Sequence, residues 1–451
     1  MAIHPIEYRY GTEEMKFVWS EANRLEKIMM TEAALARAEA DIGMIPKEAA
    51  DIIEASIGSV ELNRVKSIED EINHDMMAIV LAISEKCEDD AGKWVHFGAT
   101  SNDMLDTATA LQLKEAANIL EEKMHKLLEV LLIQADKNKK LVCAGRTHGQ
   151  IGVPTTYGLR FAIWASEVAR HIERLEQLRP RLIVGQMTGA VGTQAAFGKE
   201  GIEVQRQVMQ NLEIGSVDVS NQIIQRDRHA EFVMWMANTV TTLDKIGVEI
   251  RSLQRSEIAE LEESFRKKQV GSSTMPHKRN PIKSEQICGL ARIVRAMVEP
   301  QLQNNTLWDE RDLTNSSCER IVFPEACVLT DHIIKLATGV IENLRFYPEN
   351  IRRNLDLLRG LNMGEAVMIE LAKRGVGRQE AHELVRSSAM EAHESGKHFK
   401  EVLMANTDIS KYLSEEDIVN LVDPNMYIGT AVEQVEKVVE KLKIRKDKIK
   451  C

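Results

Sequence analysis

Between Met104 and Lys140 the chain has neither proline nor glycine, and Leu111, Ala117, Leu120, Met124, Leu127, Leu128 and Leu131 recur at steps of three and four. That spacing predicts one long amphipathic helix. Similar patterns run from about Thr155 to Leu178, bracketed by Pro154 and Pro180, and from about Arg228 to Lys267, interrupted only by Gly247. A fourth follows Pro281 and reaches about Val298, just before Pro300. Such helices, joined by short connections, predict a bundle in which antiparallel neighbours bury one another. Patterns running beyond about 25 residues also imply packing between chains. Aromatics are only 4% of the residues while Met and Ala are frequent, which suits helices better than a β-sandwich.

At 451 residues the chain is too long for a single small core. The expected architecture is all-α with three domains: an N-terminal helical domain over 1–102, the long-helix bundle over 103–344, and a C-terminal helical domain over 345–451. A net charge of −11, spread along the chain, argues against a nucleic-acid partner. The six cysteines show no CxxC spacing, so neither a disulfide framework nor a zinc site is expected. No leader-like apolar stretch opens the chain and none is long enough for a membrane span. The expectation is a cytoplasmic protein without a membrane partner.

Four segments interrupt the helical patterns with polar residues and glycine. Gly271-Ser-Ser-Thr-Met-Pro-His-Lys-Arg-Asn-Pro281 gathers hydroxyls, a His, a Lys, an Arg and an Asn. With the charged stretch Ser264 to Gln269 before it, it reads as a loop able to close over a ligand, or as a solvated loop capping the next helix. Gly145-Arg-Thr-His148-Gly-Gln150 lies between two long helices, where His148 is either a proton carrier or a capping histidine. His96-Phe-Gly-Ala-Thr100-Ser101-Asn-Asp103 is rich in N-cap residues at the start of the long helix. In Arg311-Asp-Leu-Thr-Asn-Ser316-Ser-Cys-Glu319-Arg320, Ser316 and Glu319 read as a capping box. Two arginines at such a helix start make an anion clamp, or else decorate an ordinary cap. Upstream, Glu71 and Asp75 stand four apart, which would put them on one helix face, but HExxH is absent and no metal is expected.

These four segments, in this order, resemble the signature regions of the fumarase/aspartase superfamily, whose loop SSxMPxKxNP the 271–281 run matches without departure. Within it the chain is most similar to the adenylosuccinate lyase family. Arg9-Tyr10 resembles that family's RY, Asn73-His74-Asp75 its [RN]HD, the 96–101 segment its HxGxTS, GRTHGQ its general-acid segment and ERDLTNSSCER its phosphate-binding region. Asn102 and Phe97 are mild departures at positions without an assigned role.

The resemblance implies cofactor-independent anti elimination of fumarate from a succinylated purine or imidazole nucleotide. It implies Ser272 as general base, His148 as general acid oriented by Glu285, and Lys278 as catalytic electrostatic support. Thr100, Ser101, Ser273, Lys278 and Asn280, helped by Gln222, would hold the succinyl carboxylates, with Arg279 beside them in the loop. Arg9, Tyr10, Arg311, Ser316 and Arg320 would bind the nucleotide phosphate, and Asn73, His74 and Asp75 the ribose and base side. A homotetramer built on the long-helix bundle, each active site drawing on three chains, is likewise implied. The shared loop also admits sibling enzymes: argininosuccinate lyase, fumarase, aspartase or carboxymuconate cycloisomerase. Those lack a phosphorylated substrate, which the Arg9-Tyr10 pair and the Arg311/Ser316/Arg320 set favour. A silent structural relative would be expected to have lost loop or acid residues, yet every expected type is present.

Overall fold

The computed structural model describes residues 3–265 and 271–449. Five of its longer helices are Ser101–Lys137, Tyr157–Leu182, Asp227–Leu253, Ile282–Ala296 and Thr314–Glu342. The expected all-α class holds, with three short two-stranded pairings added. The chain forms two compact units. One comprises residues 1–125, 171–243 and 289–335, the other residues 126–170, 244–288 and 336–451. Every boundary between them falls inside one of the five long helices.

In the first unit the helix Glu21–Asp41 begins at Ser20, whose hydroxyl accepts the Asn23 N–H. It contributes Leu25, Ile28 and Leu35 to a core shared with Met76, Ile79, Ile83, Met104, Leu111, Val204 and Met209. The helices Tyr157–Leu182 and Asp227–Leu253 are joined here by Trp235, whose Nε1 donates to the His171 carbonyl at 2.8 Å. In the second unit Gly247 does not break its helix. A Cβ there would lie 3.0 Å from Cys288 Sγ and 3.2 Å from the Ser284 carbonyl, so glycine lets this helix approach Ile282–Ala296 closely. The C-terminal helices close over Val367, Leu371, Phe399, Leu403 and Ile418.

Several expected boundaries are corrected. The pattern read as one helix to Lys267 ends at Leu253, followed by Ala259 at φ 47° and the strand Leu261–Glu262. Neither glycine nor proline marks that break. Pro180 lies inside the helix it was expected to end, and Pro324 inside Thr314–Glu342. Glu71 and Asp75 do not share a helix: Asn73 at φ 53° ends Leu62–Ile72, and His74 caps Asp75–Ser84 through its Nδ1. From Arg266 to Gln269, the stretch expected to lead into the closing loop lies outside the described residues.

One buried carboxyl in the first unit supplies a stability test. Glu39 is fully buried and neither of its oxygens has a hydrogen-bond partner. Burial, and then the charge of Glu32, push its pKa up to about 9. The folded state therefore holds a proton that the unfolded chain releases above about pH 4.3. Stability should fall by about 1.4 kcal/mol per pH unit from there toward pH 9. Glu39→Gln should remove that slope, seen as urea midpoints at pH 6 and 8.5 that converge in the variant and diverge in the parent.

Candidate active site

The second unit carries the loop. Glu263 caps the helix Ile282–Ala296, its carboxylate accepting the N–H groups of Ser284 (2.6 Å) and Lys283 (3.2 Å) and the Ser284 hydroxyl (2.5 Å). Gln254 donates to the Arg279 carbonyl at 3.1 Å and accepts the Glu263 N–H at 3.0 Å. The two ends of the loop meet where Asn280 Nδ2 donates to the Gly271 carbonyl at 2.9 Å. A Cβ at Gly271 would sit 1.8 Å from the Lys278 carbonyl, so only glycine allows that closure.

Inside the loop the Ser272 Oγ accepts two backbone amides, from Thr274 at 3.2 Å and Met275 at 3.0 Å. Both stabilise negative charge on that oxygen. Lys278, Arg279, Asn280 and Glu285 line a cleft of about 870 Å³ together with His277 and Arg255. Ser272, Ser273 and His148 are not among its lining residues. Arg279 is drawn aside, pairing with Glu262 at 2.8 Å and lying over the Phe265 ring.

His148 does not sit at a helix junction. The strands Val142–Thr147 and Gln150–Thr156 pair antiparallel, and His148 (φ 53°) and Gly149 (φ 75°) form the two-residue turn between them. Two successive positive-φ residues give the turn that matches strand twist. The imidazole is thereby carried, exposed, at the tip of a hairpin.

The first unit gathers most of the residues expected to hold the nucleotide. Asn73, His74, Asp75, Ser101, Arg311, Ser316 and Arg320 line one cavity of about 610 Å³. Arg320 donates to Asp75 at 2.9 Å, and Arg311 to Gln222 Oε1 at 3.1 Å. Ser316 is not an N-cap: the helix begins at Thr314, whose N–H and hydroxyl both reach the Asp312 carboxylate. The capping box fails because the helix starts two residues earlier, and Glu319 turns inward to Arg226. Arg226, 5% exposed, makes a fork with Asp106 at 2.7 and 2.8 Å and approaches Glu319 at 3.2 Å. Thr100 is set by the buried Asp103, which accepts the N–H groups of Thr100, Thr188 and Gly189. Burial raises Asp103 to about 6 despite those donors.

One member of this set was missed in the sequence. Arg24, in the first turn of Glu21–Asp41, approaches Asp75 at 3.7 Å. With Arg311, Ser316 and Arg320 it lines a second cavity of about 300 Å³. The pKa of Arg24 is lowered by burial and then by Arg320, and that of Arg311 by burial and then, against Asp106, by Arg226. Burial outweighs Arg24 and Arg320 in size on Asp75, yet with the Met76 amide they together hold its carboxyl below the usual range. Three guanidiniums, those of Arg24, Arg311 and Arg320, thus gather around Ser316 with Asp75 and Glu69 beside them, and such forks suit an anion. No motif flags Arg24. Arg9 and Tyr10 lie in the same unit but line neither cavity; Tyr10 packs on His332 at 5.3 Å. Elsewhere, Glu121, His125 and Glu176 bring ligating atoms within 4.8 Å of one another, but Arg179 already pairs with Glu121 at 2.6 Å.

The Lyase family matches residues 7–296, and the family described as adenylosuccinate lyase C-terminus matches 360–438. An adenylosuccinate lyase of Methanocaldococcus jannaschii is 54% identical over 99% of this chain and 97% of its own length. Its counterpart in Bacillus subtilis is 38% identical over 93% of this chain and 96% of its own. Among solved structures, a fumarate lyase from Mesorhizobium has a TM-score of 0.88 at 31% identity, covering 95% of this chain and 98% of that one. A 3-carboxy-cis,cis-muconate lactonizing enzyme from Pseudomonas putida has a TM-score of 0.88 at 32% identity, with 97% and 98% coverage.

Proposed function

The chain belongs to the adenylosuccinate lyases of the fumarase/aspartase superfamily, and on that premise we propose that it cleaves adenylosuccinate to AMP and fumarate. Ser272, as alkoxide, takes the proton from the succinyl carbon beside a carboxylate. The electron pair left there forms the new C=C bond as the C–N bond breaks, and His148 gives its proton to the departing nitrogen. Charge accumulates on the succinyl carboxylate during this step, so fixed donors matter more than a cofactor. Lys278, Asn280, Ser273, Thr100, Ser101 and Gln222 supply them, with Arg279 beside them and Glu285 orienting His148. Arg9, Tyr10, Arg311, Ser316 and Arg320 take the phosphate, and Asn73, His74 and Asp75 the ribose and base.

The observation that carries the reading is the cluster of guanidiniums, Arg24, Arg311 and Arg320, around Ser316. A sibling acting on an unphosphorylated dicarboxylate has no use for it, and the relatives at 54% identity bear the adenylosuccinate lyase name, whereas the lactonizing enzyme stands at 32%. The same chemistry extends to the succinylated aminoimidazole carboxamide nucleotide of purine biosynthesis. Three domains over 1–102, 103–344 and 345–451, a homotetramer, active sites built from three chains and a cytoplasmic location complete the proposal. No helix among the described residues is long and apolar enough to cross a membrane.

Adenylosuccinate incubated with the protein should show the ultraviolet change of AMP formation, and His148→Ala should slow it about 10²–10⁴-fold. Turnover of argininosuccinate or carboxymuconate, with adenylosuccinate untouched, would move the chain to a sibling.

A further inference from the structure

A two-stranded hairpin alone is marginally stable in water, so the direction of an exposed tip depends on what holds its base. The base here closes on one side chain. Glu260 is fully buried in the second unit. Its Oε1 accepts Arg146 at 2.5 Å and Asn354 at 3.0 Å, and its Oε2 accepts the Tyr157 hydroxyl. Arg146 belongs to the first strand, two residues before His148, and Tyr157 follows the last residue of the second. One carboxylate therefore grips both strands. Burial, and then the charge of Glu260, hold the Tyr157 phenol far above its usual pKa, so it donates throughout the working range.

The grip is local to the hairpin's geometry. The strand register slips between Ala144 and Arg146, at Gly145, where a Cβ would meet the Val153 carbonyl at 2.5 Å. A slip of this kind re-aims the following side chain. Glu260 itself follows Ala259 at φ 47°, and its backbone is fixed by Leu253 and Tyr347. It touches none of the groups assigned to substrate.

The geometry points to Glu260 as a positioning residue that acts through Arg146 and Tyr157 to aim His148; this rests on the proposed acid role of His148. Glu260→Gln keeps the size and removes the charge. It is expected to lower kcat about 10–100-fold with KM within a few-fold, because a small misplacement of a proton donor is costly. Introduced into His148→Ala it should cost no further activity, since the group it aims is gone. Amide hydrogen exchange over 142–156 should quicken while the C-terminal core is unchanged. Should Glu260→Gln fold poorly, the Arg146→Met/Glu260→Gln pair removes both charges of the ion pair and should regain stability without regaining kcat. Unchanged exchange in the hairpin, or losses that multiply with His148→Ala, would overturn the assignment. A fully active His148→Ala would overturn the acid role instead, while faster hairpin exchange would still uphold the clamp.

Discussion

Ser272→Ala is expected to lower kcat on adenylosuccinate about 10²–10⁴-fold while leaving KM within a few-fold. The reason lies in two distances. The amides of Thr274 and Met275 stand 3.2 and 3.0 Å from Oγ, so the alkoxide meets two fixed dipoles when the proton leaves. Alanine removes the oxygen but leaves the loop, which is closed by Asn280 on the Gly271 carbonyl and held by Gln254 on Arg279. Binding should therefore survive and chemistry should not. A variant within a few-fold of the parent would remove Ser272 from the proton transfer, whatever the fate of the phosphate site.

The largest effect on stability should come from Asp106. Arg226 is buried between Asp106 and Glu319, and Asp106 also accepts the Ile224 N–H at 2.8 Å. Asp106→Ala leaves a buried guanidinium half paired, a loss of about 3–5 kcal/mol. Replacing Asp106, Arg226 and Glu319 together with apolar residues of similar volume should cost much less, because no charge is stranded. Urea unfolding of the two variants separates these outcomes, and equal losses would show that packing rather than charge governs the site. The acid limb follows from Glu319. Burial pushes its carboxyl up, but Arg226, His229 and Gln301 outweigh that and bring it to about 2. Against an unfolded value of about 4.3, its contribution is complete above about pH 4.3 and is lost as pH falls toward 2. Glu319→Gln should flatten that part of the acid unfolding curve.

The long helices were legible because their apolar period is uninterrupted: Met104–Lys140 was expected and Ser101–Lys137 is found. The hairpin was not read, although His-Gly between two short β-prone runs is a two-residue turn signal. Gly145, Gly152 and Pro154 make those runs look like a helix connection. The end of a helix at Leu253 carries no glycine or proline and could not be seen. Prolines misled in the other direction, since Pro324 stands inside a helix. The loop and clamp residues were legible as types, while Arg24 and Glu260 were not. Their roles come from partners 51 and 114 positions away, Asp75 and Arg146, and no local pattern records such pairings.

Neither compact unit is a continuous stretch of chain, because each is assembled from three separated pieces. A ribosome releasing about 5–20 residues per second takes on the order of tens of seconds to reach residue 335, where the first unit's last piece ends. Until then its earlier pieces wait with apolar helix faces uncovered, and the second unit waits longer still. Newly made chains should thus depend on chaperones that hold such faces, and severing any of the five long helices should abolish folding rather than yield two viable fragments.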